Sequence, residues 1–193
     1  MVSLTLGANV RSVAADGSGR WSYALQPSDI IAMGQGPEAI TVVAADAAGN
    51  VSSSASRNIV IDTRAPNVPI ISTVAGDNIV NASEQSAVLR GTAEANTSVT
   101  ITLGDSDRTV TADASGNWSY TLQAGDIAAM GQGDEAIRVA VRDAAGNTSA
   151  AATRTVRVDT LAPTASVSIS DTSLTEGETA LVTITFSERV VGF

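Results

Sequence analysis

The chain has 193 residues and contains neither cysteine nor histidine, so disulfides, thiolate metal sites and the usual general base near neutral pH are all absent. Its formal net charge is −9, which argues against binding nucleic acid through a basic face. No apolar run approaches the roughly 20 residues that span a bilayer. The opening MVSLTLGANV lacks the basic-then-apolar order of a signal peptide, so the sequence reads as an internal piece of a larger parent, in which any export signal would lie elsewhere.

In chain order, the first strand-like segment is VSLTLG at residues 2–7. It aligns with SVTITLG at 98–104, and the match continues: residues 3–66 pair with 100–163 without a gap, with 37 of 64 positions identical. A period of 97 is too long for a solenoid repeat and suits a whole small domain. Residues 67–163 therefore read as one complete repeat. Residues 1–66 read as the C-terminal part of another, beginning at its third strand.

Within 67–163, short stretches alternate apolar and polar side chains with period two. Val99, Ile101 and Leu103 share one face, as do Trp118, Tyr120 and Leu122, then Ile137, Val139 and Val141, then Val156 and Val158. Gly-, Asn- and Asp-containing clusters punctuate them. Seven strands are expected, near 68–74, 86–92, 98–103, 108–113, 117–122, 136–142 and 152–158. Between the fifth and sixth, GDIAAMG reads as a helical turn with Asp126 as N-cap and Gly131 closing it. Residues 164–193 read as the first two strands of a further unit. The fold class is all-β: tandem immunoglobulin-like β-sandwiches, one complete and seven-stranded, flanked by partial ones. Trp21 and Trp118 are expected in the core, and Met33 and Met130 at its base. The partial units expose unpaired strand edges, and exchange of strands between chains is one way to cover them.

Three motifs carry a family resemblance: D-A-A-G-N-x-S at 46–52 and 143–149, [VI]-D-T-x-A-P at 61–66 and 158–163, and G-x-W-S-Y-x-L at 19–25 and 116–122. Together they resemble the bacterial Ig-like domains strung along giant repetitive adhesins exported by type I secretion. Isoleucine stands for valine at 61, which keeps the aspartate. The resemblance implies an extracellular stalk or extender segment at the bacterial cell surface. Without histidine, cysteine or a nucleophile motif, enzymatic activity is not expected, and without a long apolar run neither is membrane insertion. By the same resemblance, the segment's partners would be neighbouring repeats and calcium, with a surface or host ligand bound by other parts of the parent. A module that binds glycans directly is the alternative reading.

In a seven-strand sandwich the loops after strands two, four and six share one pole, while the last strand exits at the other. The DAAGN loop is thus expected to meet the IDTRAP end of the preceding repeat, bringing Asp62 near Glu94, Asp143 and Asn147. Carboxylates crowded this way repel unless a cation intervenes, and calcium accepts 6–8 oxygens in loose geometry. Asp159 and Glu188 are the corresponding pair for the next junction. Aspartate and asparagine in such loops also make turns with their own backbone, and Asn147 reads first as a turn former. Pro66 and Pro163 stiffen the connections. Asp77, Asp105, Asp107, Asp126 and Asp134 read as a solvated acidic end at the opposite pole, with a secondary calcium site as the alternative.

Overall fold

The computed structural model describes residues 1–191 and divides the chain into two compact units. The first comprises residues 1–66 together with Asp143–Thr148. Four strands form its sheet: β1 (Val2–Leu6), β2 (Asn9–Val13), β3 (Gly36–Ala44) and β4 (Ala55–Ile61), with helix α1 (Pro27–Met33) before β3. The order is β2-β1-β3-β4, with every pairing antiparallel. Val2, Leu4 and Leu6 alternate inward and pack with Met33 and Ile61.

The second unit holds the remaining strands. β5 (Ile70–Ile71), β7 (Val88–Thr92) and β10 (Asn117–Thr121) make one sheet, ordered β10-β7-β5. β6 (Ile79–Asn81), β8 (Ser98–Leu103), β9 (Ser106–Thr111), β11 (Gly133–Arg142) and β12 (Ala152–Asp159) make the other, ordered β6-β12-β11-β8-β9. Both sheets contribute to one buried cluster: Ile71, Leu89 and Trp118 from the first, and Val80, Val99, Ile101, Leu103, Ile137, Val139, Val141, Val156 and Val158 from the second. This is the immunoglobulin-like sandwich that the alternation implies. Helix α2 (Ala124–Met130) closes one end, burying Ile127 and Met130.

Several details differ from the sequence expectation. The strand expected at 68–74 shrinks to Ile70–Ile71. An additional strand, Ile79–Asn81, joins the opposite sheet in parallel with Arg157–Asp159, so there are eight strands between residues 70 and 159. Asp126 is not the N-cap. Gln123 takes that place, and Asp126 at N3 closes a reciprocal capping box with it. Nor is Asp126 part of a solvated acidic end. It is fully buried, its Oδ1 2.8 Å from Arg108 Nη2, and its Oδ2 accepts from the Tyr120 hydroxyl at 2.6 Å and the Gln123 amide at 2.8 Å.

Trp118 is buried as expected, at 3% exposure, but its counterpart Trp21 is 39% exposed. The cause is pairing. Trp118 lies on β10, which is held by β7, and no residues of 1–66 correspond to β7 at the 97-residue spacing. Residues 20–25 consequently form no strand. Leu25 is 40% exposed where Leu122 is 1%.

Beyond β12, strands β13 (Ala165–Ile169) and β14 (Val182–Phe186) pair antiparallel, with Val167 opposite Ile184 and Ile169 opposite Val182. These four side chains are exposed. The last two residues of the segment expected at 164–193 lie outside the described residues. Among the described residues no helix is long and apolar enough to cross a membrane.

Candidate functional site

The DAAGN loop belongs to a turn that the chain uses four times, at 16–20, 46–50, 113–117 and 143–147. In each, the aspartate N–H donates to the carbonyl of the fifth residue, at 2.8, 3.0, 2.8 and 3.1 Å respectively. In each, the glycine at the fourth position has positive φ and donates its N–H to the aspartate carbonyl. The aspartate Oδ1 also accepts the fifth residue's N–H at 2.8–2.9 Å. This is an Asx-type turn in which the side chain replaces missing backbone partners. A structural role therefore accounts for the motif's recurrence. Asn147 is a turn former here, through its own N–H.

One further contact sets the 143–147 loop apart. It groups with residues 1–66 in the first compact unit. The Asn147 carboxamide nitrogen lies 2.9 Å from Asp143 Oδ2, 3.2 Å from the Asp62 carbonyl oxygen and 3.4 Å from Asp62 Oδ1. A single NH₂ group thus faces oxygens from two acidic residues. The hydrogen bond from that carboxamide draws the Asp143 carboxyl below its ordinary pKa; burial opposes this, and the N–H groups of Asn147, Gly146 and Ala145 reinforce it. Asp46 is lowered likewise, first by the Asn50 side chain, and Asp113 first by the Asn117 backbone N–H.

A depressed folded-state pKa stabilises the fold above the unfolded pKa, and that contribution is lost as pH falls through the folded value. Asn147→Ala is expected to move the Asp143 pKa back up toward its ordinary value. Carboxyl ¹³C titration by NMR checks this, and an unmoved midpoint would show that the carboxamide does not hold the charge.

Asp62 directly follows β4 and is positioned by its neighbour. Thr63 donates its N–H to Gln35 Oε1 at 3.1 Å, while Gln35 Nε2 donates to the Thr63 hydroxyl at 2.5 Å. The same clasp joins Gln132 and Thr160 beside Asp159, at 2.8 and 2.9 Å. Sequence reasoning missed these glutamines, although GQG recurs at 34–36 and 131–133 in step with the DT dipeptides. Asp62 Oδ1 also accepts the Arg64 N–H at 3.1 Å.

The remaining candidates fall elsewhere. Glu94 sits on the exposed turn between β7 and β8, where its carbonyl accepts both the N–H and the hydroxyl of Thr97. Asp159 and Glu188 line one cleft of the second unit together with Gln132, Leu161 and Thr164. There Arg157 Nη2 stands 3.8 Å from Asp159 Oδ2, and Val60 occupies the matching position before Asp62. Among the described residues no group of three or more acids converges in a way that could hold a metal ion. The meeting at Asp62 is of two acids and a carboxamide, all three of them side chains that can offer oxygen to a hard cation.

Residues 71–160 match a family described as "Bacterial Ig-like domain", and residues 159–193 match a second family of the same description. No curated protein matches the chain. Among solved structures, one described as "Ca2+-stabilized adhesin helps an Antarctic bacterium reach out and bind ice" is 28% identical at a TM-score of 0.47, covering 88% of this chain and 43% of that one. Another, described as "Structural insight into host cell surface retention of a 1.5-MDa bacterial ice-binding adhesin", is 25% identical at 0.44, covering 88% and 57%. A bacterial immunoglobulin-like domain from the M. primoryensis ice-binding adhesin is 28% identical at 0.37, covering 50% of this chain and all of that one. The chain thus spans about half the length of the first two. Two consecutive matches, running from residue 71 to residue 193, identify that part of the chain as bacterial Ig-like domains.

Proposed function

We propose that this chain is a spacer segment of a large bacterial surface adhesin. In this reading residues 1–66 are the C-terminal part of one repeat, 67–163 a whole repeat and 164–193 the opening of the next. Calcium stiffens the junctions, and a distal part of the parent does the adhering. The observation that carries the reading is the Asn147 carboxamide between Asp62 and Asp143. Without a cation, an NH₂ group is the neutral partner that lets two carboxylates approach. Rotating the carboxamide by half a turn exchanges nitrogen for oxygen, converting a donor to the acids into a third oxygen ligand. Asp62, Asp143 and Asn147 would then hold calcium, which supplies positive charge and loose oxygen coordination. The glutamine–threonine clasp fixes the chain that follows β4 and carries Asp62.

The junction at Asp159 and Glu188 is expected to bind more weakly. Arg157 already neutralises part of the Asp159 charge.

Calcium that binds only the docked arrangement stabilises it by about 2.7 kcal/mol when free ion is roughly 100 times Kd. Titration calorimetry is expected to show a calcium site that Asp62→Ala or Asp143→Ala weakens. Chelation is expected to broaden the small-angle scattering distance distribution, reversed by calcium and not by sodium. Unchanged calorimetry in both variants would remove the ligand assignment.

A further inference from the structure

The four acidic turns share a backbone but not a chemistry, and the odd one lies at 16–20. Its second residue is Gly17, where the others have Ala47, Ala114 and Ala144; its fifth is Arg20, where the others have asparagine. Asp16–Gly17 is the only Asp–Gly step in the sequence, which has no Asn–Gly. Apart from its chain neighbours, no heavy atom lies within 4 Å of where a Cβ on Gly17 would sit, so the chain is uncrowded on that side of Gly17. Asp16 Oδ1 accepts the N–H groups of Ser18 at 2.8 Å and Arg20 at 2.9 Å. In the other turns the asparagine carboxamide also faces the second oxygen, at 2.8 Å for Asn50, 3.5 Å for Asn117 and 2.9 Å for Asn147. Such donors favour the unreactive carboxylate.

We propose that Asp16–Gly17 is a covalent modification site, at which the folded chain isomerises its own backbone to isoaspartate. The Gly17 nitrogen attacks Cγ of the protonated Asp16 carboxyl and gives up its proton to solvent. Negative charge develops on Oδ1, where two backbone donors are already aimed, and the Oδ2 hydroxyl leaves as water. The resulting succinimide is opened by one water at its Cα-side carbonyl, leaving the chain running through the former side chain. Water lost equals water gained, and nothing is oxidised or reduced. The inserted methylene breaks the turn's Asp16–Arg20 and Gly19–Asp16 hydrogen bonds.

The test is incubation of the intact folded protein in warm neutral ¹⁸O-water, followed by trypsin and mass spectrometry. Cleavage after Arg11 and Arg20 isolates residues 12–20, and Asp46, Asp113 and Asp143 fall in other peptides as internal controls. Isoaspartate with incorporated ¹⁸O is expected to accumulate at position 16 well above the three controls. Gly17→Ala, which meets no steric obstacle, is expected to lower it to their level. Accumulation no faster than at the controls, or only after unfolding in urea, would overturn the proposal.

Discussion

Asp126→Ala is expected to destabilise the second unit by about 4 kcal/mol, the order found when one partner of a buried ion pair is removed. The carboxylate is fully buried and serves three elements at once: Arg108 on β9, Tyr120 on β10 and the N-cap of α2. Alanine deletes all three connections. Arg108 would be left bonded to a tyrosine hydroxyl, at 3.1 Å, without the anion that both now face. Asp126→Asn keeps the shape and one acceptor oxygen, so its loss is expected to be smaller. Urea unfolding read from Trp118 fluorescence, in a Trp21→Phe background, measures both. A loss below about 1 kcal/mol for alanine, the level of an exposed ion pair, would mean that the carboxylate behaves as a surface acid.

Gly91→Ala carries the second large effect. A methyl built at Gly91 would lie 1.9 Å from the Ile70 carbonyl oxygen, 2.5 Å from Trp118 Cζ2 and 2.6 Å from Cε2. Neither the backbone of β5 nor a fully packed indole can yield that much room, so the strands must separate or the ring must leave its rotamer. Overpacking of this kind costs about 3 kcal/mol. The indole half of the clash is relieved by Trp118→Phe, whereas the carbonyl half is not. The double variant is therefore expected to be more stable than the sum of the single losses implies. Strict additivity in urea unfolding followed by far-UV circular dichroism, a signal that needs no tryptophan, would show that the indole is not the obstacle.

Much of this architecture was legible because its strands alternate cleanly. SVTITL, AIRVAVR and TVRV each bury one face, as their period demands. Where pairing was too short to leave a pattern, reading failed. Ile79–Asn81 is three residues long, with a single buried side chain, and nothing local marks it as a strand. The burial of Asp126 was hidden for a different reason: its counter-charge, Arg108, lies 18 residues away on β9, and aspartate at a helix start reads naturally as an exposed cap. Trp21 misled because motif identity with Trp118 says nothing about whether a partner strand is at hand. At the candidate site, the meeting of the 143–147 loop with Asp62 followed from strand order. The glutamine clasp did not, since its two halves are 28 residues apart and glutamine carries no turn signature.

The parallel pairing of Ile79–Asn81 with Arg157–Asp159 joins an early strand of the second unit's sandwich to its last one. Pulling the chain from both sides drags these two segments in opposite directions along their shared axis. Their backbone hydrogen bonds are then loaded sideways and together, unlike a zipper opened one rung at a time. A patch three residues long thereby becomes a latch against tension, lying behind β5 on the N-terminal side, where the tug first arrives.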